Sequence, residues 1–239
     1  MFQPHGIIAP LVTPFTQDDC IHREELKKQV NRLINAGVHG IFALGTTGEF
    51  YALSEKEKLD VLQTVIDETN GRVPVYAGSG CISTSETIAL SKKAQELGAD
   101  ALTLISPYYV AVSQEDIFIH FKEIAESIDA PILLYNIPAR TGNNIEYTTV
   151  KKLCSSCRNI VGIKDSSGNF DNTLRYIEDT DERLAVLSGN DSLILWTLLA
   201  GGRGAVAGTS NVFPELVVNI YNAWESQHDY QTCNAITRP

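Results

Sequence analysis

The chain of 239 residues has no apolar run that reaches the ~18 residues a membrane-spanning helix requires. Its first residues also lack the basic and apolar segments of a secretory signal. Positive charge is scarce, because 19 Lys and Arg stand against 29 Asp and Glu, whereas a nucleic-acid surface requires a basic patch. Glycine (17 residues) and proline (9 residues) show no fibrous or low-complexity bias. Membrane, fibrous and nucleic-acid-binding classes are therefore excluded, and an ordinary soluble globular chain is expected.

Cysteine and histidine are also sparse, with five residues of each scattered along the chain. Cys154 and Cys157 form a C-x-x-C pair, but no second pair and no neighbouring histidine completes a zinc site. No two histidines lie at helical spacing. We therefore expect no metal site. We also expect reduced thiols and a cytoplasmic location, because no secretory signal is found.

What the chain does contain is one pattern repeated eight times, a short apolar run followed by a turn and an amphipathic helix. The run 40–44 is continuously apolar, and the run 160–164 is apolar except for its last residue, Lys164. Continuous apolar runs are typical of parallel strands buried on both faces. Eight such units predict a single (β/α)8 barrel, the TIM barrel, over residues 1–226. The alternative is an open doubly wound sheet, which the lack of a G-x-G-x-x-G motif after the first run disfavours. Residues 227–239 are expected to begin a C-terminal helical segment that is cut short.

In a barrel of this kind the active site lies at the carboxyl ends of the strands. Lys164 ends the sixth apolar run, where burial would disfavour its charged form. A lysine with a lowered pKa can attack a carbonyl group and form a Schiff base. The alternative is a lysine that reaches solvent or pairs with Asp165.

Two further features end neighbouring strands at this rim. The segment 45–48, Gly-Thr-Thr-Gly, follows the second run, and its backbone N–H groups and hydroxyls suit a carboxylate, although it could also be a mere turn. Tyr135 ends the fifth run, one strand over from Lys164, where a core tyrosine is the alternative. A lysine, a carboxylate-sized turn and a phenol at one rim together indicate an active site.

These motifs resemble those of the dihydrodipicolinate synthase / N-acetylneuraminate lyase family. The motifs are Gly-Thr-Thr-Gly-Glu at 45–49, Tyr-Asn-Ile-Pro-x-Arg-Thr-Gly at 135–142 and Gly-Ile-Lys-Asp at 162–165, and the resemblance extends over about 7–224. It implies a pyruvate-dependent lyase of the class I aldolase type on a (β/α)8 barrel. It also implies that no metal or organic cofactor is needed, since pyruvate forms a covalent imine on Lys164. Family members usually continue into extra C-terminal helices, in line with the expectation of a truncated chain.

The resemblance assigns the proton-transfer roles. Lys164 matches the Schiff-base lysine, and Tyr135 matches the tyrosine that relays protons to and from the adduct. Thr46 would link Tyr135 to Tyr109, whose counterpart in the family comes from a neighbouring subunit. The resemblance therefore implies a homo-oligomer, a dimer that completes the site or possibly a tetramer.

The resemblance also assigns the binding roles. Thr47 would hold the pyruvate carboxylate, while Gly189 and Val206 would present backbone carbonyls near the adduct. Arg140 matches an arginine that binds a carboxylate of aspartate semialdehyde in the synthase branch, and lyase-branch members generally lack it. A planar guanidinium suits such bidentate binding. This favours the synthase reaction, which leads toward diaminopimelate and lysine.

Two departures from the family pattern border the entrance to the site. Val-Ala-Val at 110–112 replaces the usual Asn-x-Pro, and Phe50 and Tyr51 replace small residues. An aldolase for a 2-keto-3-deoxy sugar acid or for an N-acetylneuraminate-type substrate therefore remains an alternative. So does a different class of protein, a non-catalytic sensor that binds pyruvate-like acids.

Overall fold

Eight apolar runs form eight parallel strands that close into a barrel in sequence order. The computed structural model describes residues 2–180 and 183–227. The barrel closes because β1 pairs with β2 on one side and with β8 on the other. The strands are β1 Gly6–Pro10, β2 Gly40–Ala43, β3 Val75–Gly78, β4 Ala101–Ile105, β5 Ile132–Asn136, β6 Ile160–Asp165, β7 Ala185–Ser188 and β8 Gly204–Val206. The predicted (β/α)8 architecture is confirmed.

Helices follow the strands and surround the barrel. They are α1 Arg23–Asn35, α2 Glu55–Thr69, α3 Thr84–Glu96, α4 Gln114–Ser127, α5 Pro138–Thr141, α6 Tyr147–Ser156, α7 Phe170–Asp179, α8 Ile194–Leu199 and α9 Pro214–Gln227. Short 3-10 helices lie at Phe50–Ala52, Asp191–Leu193 and Gly208–Asn211. The pattern of apolar residues did not indicate α5, because its four residues make barely one turn.

The helix starts follow from local hydrogen bonding. Ser54 accepts a hydrogen bond from the backbone N–H of Glu57, whose carboxylate accepts one from the backbone N–H of Ser54, so each satisfies a free donor of α2. Ser113 caps α4 in the same way with Asp116. Pro214, which lacks an N–H to satisfy, begins α9.

The apolar side chains divide into two layers. An inner cluster fills the barrel and consists of Ile8, Phe42, Tyr76, Ala101, Leu133, Leu187 and Val206. A larger outer cluster packs the other face of the strands against the helices. Successive residues of a strand point to opposite faces. Lys164 therefore points into the barrel, toward Phe42, whereas Asp165 points outward.

The predicted division at residue 226 stays a prediction, because residues 228–239 lie outside the described part of the chain. Within the described ranges, no helix is long and apolar enough to cross a membrane. The same ranges contain no group of three or more His, Cys, Asp or Glu that could hold a metal ion.

One buried histidine links the stability of this fold to pH. His120 lies on α4 and its Nδ1 is 2.9 Å from the hydroxyl of Thr84 at the start of α3. Its Nε2 is buried without a hydrogen-bond partner among the described residues, and burial lowers the pKa of this ring to about 4. The folded protein thus favours the neutral ring, and the unfolded chain binds more protons below pH ~6.5.

We therefore expect the free energy of unfolding to fall as pH decreases from about 6.5 to about 4, with roughly 1–3 kcal/mol due to His120. His120→Phe should remove this part of the pH dependence, which urea unfolding at a series of pH values would measure. The carboxylates titrate alike in both proteins, so the difference between the two curves isolates the histidine. Identical slopes for the two proteins would contradict the assignment.

Candidate active site

Lys164 is buried near the carboxyl end of β6, with 5% of its surface exposed. Its Nζ lies 4.0 Å from the ring centroid of Tyr135 and 5.2 Å from that of Phe42. Burial lowers the pKa of Lys164, and this outweighs the opposing effects of Tyr135 and Asp191, which raise it. The surroundings therefore favour the neutral amine, which is the nucleophilic form.

The alternative in which Lys164 pairs with Asp165 is not supported. Asp165 points to the outer face of the barrel, where it accepts hydrogen bonds from Asn136 at 3.0 Å and from Thr173 at 2.8 Å. Lys164 makes no ion pair with any residue in the described ranges. Asp165 instead links β6 to β5 through Asn136 and to α7 through Thr173.

Tyr135 lies directly beside Lys164, because the two residues are partners in the register of β5 and β6. It is 4% exposed, and its hydroxyl is 3.3 Å from Oγ1 of Thr46. The structure therefore brings three predicted residues together in one chain of contacts from the lysine through the phenol to the threonine hydroxyl. The predicted roles of these residues in proton transfer stay predictions.

The Gly-Thr-Thr-Gly segment forms a tight turn at the end of β2. The N–H of Gly48 donates to the carbonyl of Gly45 at 3.0 Å, and the hydroxyl of Thr13 donates to the carbonyl of Gly48 at 2.7 Å. No described acceptor receives a hydrogen bond from the backbone N–H of Thr46 or Thr47, and Thr47 is exposed. Hydrogen bonds of Thr13 and Gly45 thus fix the turn, and the N–H groups of Thr46 and Thr47 remain available to an anion.

A cavity of about 450 Å³ opens at this rim, and Arg140 lies on its wall. Arg140 belongs to α5, directly after β5, and is exposed. A smaller recess that includes Tyr135 adjoins the cavity and shares Thr46 with it. The complete wall of the cavity consists of Thr46, Phe50, Tyr51, Ile105, Tyr108, Arg140 and Thr141. A second cavity, of about 300 Å³ and lined by Arg183 and Arg203, contains none of the predicted residues.

Gly189 directly follows β7, the neighbour of β6 on the side away from Tyr135, and Val206 lies one strand further, on β8. The N–H of Gly189 donates to the carbonyl of Asp165 at 2.7 Å. A Cβ at position 189 would lie 3.0 Å from that carbonyl oxygen, so the close approach of β7 to β6 suits glycine. Val206 ends β8 and belongs to the inner cluster. The contact of either residue with an adduct on Lys164 stays a prediction.

Tyr109 does not reach the site of its own chain. It is 91% exposed and has a φ of 81°, a left-handed conformation that a bulky residue rarely adopts. The structure thus separates Tyr109 from the contact between Thr46 and Tyr135. The contribution of Tyr109 to a neighbouring copy stays a prediction.

Sequence reasoning missed several residues of the site. Phe42 lies beneath Lys164, and Asp191 opposes the lowering of the lysine pKa by burial. Asp191 also accepts the backbone N–H groups of Gly208 and Thr209, which ties the end of β7 to that of β8. The end of an apolar strand located Lys164, but these neighbours depend on contacts between strands that no single motif displays.

A closed parallel barrel with a buried lysine beside a tyrosine at its carboxyl rim fits a lyase-type enzyme of the class I aldolase kind, and the family match and the relatives below show that class. The chain belongs to the Dihydrodipicolinate synthetase family, whose sequence pattern matches residues 3–237. The resemblance seen in the motifs is thereby confirmed.

Proteins that are similar in sequence or structure are named as members of this family. A 4-hydroxy-tetrahydrodipicolinate synthase from Methanopyrus kandleri is 48% identical over 226 residues, which are 94% of this chain and 75% of the relative. The 4-hydroxy-tetrahydrodipicolinate synthase structure from Methylacidiphilum fumariolicum SolV has a TM-score of 0.96 and 35% identity, covering 99% of this chain and 78% of its own. A prophage protein of E. coli K12 from the same family, solved in complex with pyruvate, has a TM-score of 0.95 and 36% identity, covering 98% of this chain and 79% of its own.

Proposed function

We propose that this chain is a 4-hydroxy-tetrahydrodipicolinate synthase that condenses pyruvate with aspartate semialdehyde. The observation that carries the proposal is the buried Lys164 in register with Tyr135. Relatives named as this synthase are 40–48% identical over most of the chain. Their names favour the synthase over the sugar-acid aldolase, and over a sensor without turnover.

In the proposed reaction the neutral amine of Lys164 attacks the keto carbon of pyruvate and forms a C–N bond. Loss of water from this adduct gives a cationic imine. The imine draws electrons from the methyl group, which loses a proton and becomes the nucleophilic carbon of an enamine. That carbon then attacks the aldehyde. Each proton transfer is assigned to Tyr135, whose hydroxyl contacts Thr46 at 3.3 Å.

The pyruvate carboxylate is assigned to the Gly-Thr-Thr-Gly turn. The N–H groups of Thr46 and Thr47 and the hydroxyl of Thr47 supply donors for it, and hydrogen bonds to a charged acceptor are stronger than neutral ones. The turn follows β2 and therefore lies at the same rim as Lys164. No metal or organic cofactor is required in this scheme, because the imine itself withdraws the electrons.

Completion of the relay is assigned to a second copy of the chain. Tyr109 extends away from its own site, and its backbone is held in an unfavourable conformation, which is a feature of functional positions. We therefore propose that Tyr109 of one subunit meets Thr46 of another in a dimer, with a tetramer as the higher assembly. For location we propose the cytoplasm, a proposal supported by the free thiols of Cys20, Cys81 and Cys157.

The proposal predicts the effect of Arg140→Ala. Loss of the guanidinium should lower kcat/KM for aspartate semialdehyde by about 10- to 100-fold, since hydrogen bonds to charged groups contribute ~1.5–3 kcal/mol. Pyruvate should still be trapped on the protein by borohydride, because Arg140 lies on the cavity wall and not beside Lys164. The measurement is the rate of condensation for the wild type and the variant, alongside cleavage of 2-keto-3-deoxy sugar acids.

Arg158→Ala is the matched control, because Arg158 is exposed outside the cavity wall. It should keep the wild-type rate. If the wild type cleaves sugar acids and does not use aspartate semialdehyde, the lyase alternative is correct. If it does not trap pyruvate with borohydride, the chain is not a Schiff-base enzyme.

A further inference from the structure

Asn143 joins the two loops that carry Tyr109 and Arg140. The first loop, 106–113, connects β4 to α4, and the second, 137–146, connects β5 to α6. Asn143 belongs to the second loop, yet its side chain lies against the first and is buried, with 4% of the residue exposed. A buried carboxamide needs partners for both its NH₂ group and its oxygen.

The backbone of the Tyr109 loop supplies these partners. Nδ2 of Asn143 donates to the carbonyls of Pro107 and Val110, both at 2.8 Å. Its Oδ1 accepts the N–H of Val112 at 3.0 Å. One side chain therefore binds the loop on both sides of Tyr109.

The position of Asn143 is fixed in turn by the residue after Arg140. The hydroxyl of Thr141 donates to the carbonyl of Asn143 at 2.9 Å and accepts its N–H at 3.1 Å. Thr141 thus fixes the backbone of Asn143, and the side chain of Asn143 fixes the Tyr109 loop relative to residues 141–143.

The Tyr109 loop needs such support. A φ of 81° at a tyrosine persists only where the surrounding structure holds it. The residues at 110–112 are Val, Ala and Val, whose side chains make no hydrogen bonds of their own. In the described part of the chain, the side chain that hydrogen-bonds the backbone of 107–112 is that of Asn143.

We propose that Asn143 is a positioning residue that holds Tyr109 in its strained, outward conformation and sets its place relative to Arg140. The inference rests on the proposed function, in which Tyr109 completes the proton relay of a second copy. Asn143 itself touches no substrate. Its effect on the reaction passes through the backbone of 107–112.

The test compares Asn143→Ala with Gln114→Ala. Gln114, the first residue of α4, also binds the second loop, because it donates to the carbonyl of Asn144 and accepts from Glu146 and Thr149. Among the described residues, its side chain makes no hydrogen bond to the backbone of 107–112. We expect Asn143→Ala to lower kcat for condensation by about 10- to 100-fold, as a misplaced catalytic group does. Gln114→Ala should keep kcat within about twofold. Borohydride trapping of pyruvate on Lys164 should persist in both variants.

Two measurements distinguish positioning from a general structural role. In a Tyr109→Phe background, Asn143→Ala should lower kcat little further, because the hydroxyl that it positions is already absent. Hydrogen exchange in Asn143→Ala should accelerate at 108–112 and stay unchanged in β5. An unchanged kcat, or an equal loss of kcat in Gln114→Ala, would overturn the proposal.

The wild-type protein provides a test that needs no variant. The amide of Val112 should be protected from hydrogen exchange, because it donates to Asn143. Exchange of this amide at the rate of an open loop would reject the inference even if Asn143→Ala does not fold. A wild type that fails to trap pyruvate would instead refute the proposed function, and protection of Val112 would be unaffected by that result.

Discussion

Lys164→Ala should abolish the pyruvate adduct that borohydride traps on this protein and, with it, all condensation activity. The variant removes the amine that lies 4.0 Å from the ring of Tyr135, and Lys164 is the one buried lysine among the described residues. The imine is the electron sink of the proposed reaction, so the pyruvate methyl group cannot lose its proton without it. Mass spectrometry of the intact protein after incubation with pyruvate and borohydride measures the adduct directly.

Lys151→Ala is the matched control, since Lys151 is an exposed lysine on α6. It should trap pyruvate as the wild type does. Circular dichroism should show that Lys164→Ala keeps its fold, because the barrel interior loses only the stem of one side chain. If Lys164→Ala still carries the trapped pyruvate on another lysine, in the same fraction of molecules as the wild type, the catalytic assignment is wrong.

The barrel could be predicted because each of its strands is recognisable from a few consecutive residues. Each strand is buried on both faces and therefore reads as a continuous apolar run, as 160–164 does until it reaches Lys164. Serine caps such as Ser54 and Ser113 mark the starts of helices with side chains only three residues apart. The short helix α5 carries no such signal, because four residues cannot show a helical period.

The site could be predicted only in part, for the same reason. Lys164 and Tyr135 end apolar runs, so the rule that the carboxyl rim holds the chemistry selects them. The places of Asn143 and Phe42 depend instead on contacts with residues far away in the chain, such as the contact of Asn143 with Val110, 33 positions before it. Sequence spacing does not predict these contacts, because they depend on how the strands and loops pack against one another.

The register also explains why Tyr135→Phe is an informative change. Phenylalanine keeps the ring that covers Lys164, so burial continues to lower the lysine pKa. The hydroxyl of Tyr135, whose electrostatic interaction with the amine raises that pKa, is lost. The pKa of Lys164 should therefore fall further in the variant, and the supply of neutral amine should not limit the reaction. What the variant lacks is the group that transfers protons to and from the adduct.

We therefore expect Tyr135→Phe to trap pyruvate slowly while its turnover falls by about 10²- to 10⁴-fold, the range for a positioned proton-transfer group. Single-turnover trapping and steady-state condensation, measured on the same sample, separate the two steps. Tyr147→Phe is the matched control, because Tyr147 lies on α6 and stacks with Arg175 away from Lys164. Thr46→Val should lower turnover in the same direction, since it removes the hydroxyl 3.3 Å from that of Tyr135. Wild-type turnover in Tyr135→Phe would exclude the tyrosine from the mechanism, and water at the rim would then have to carry the protons.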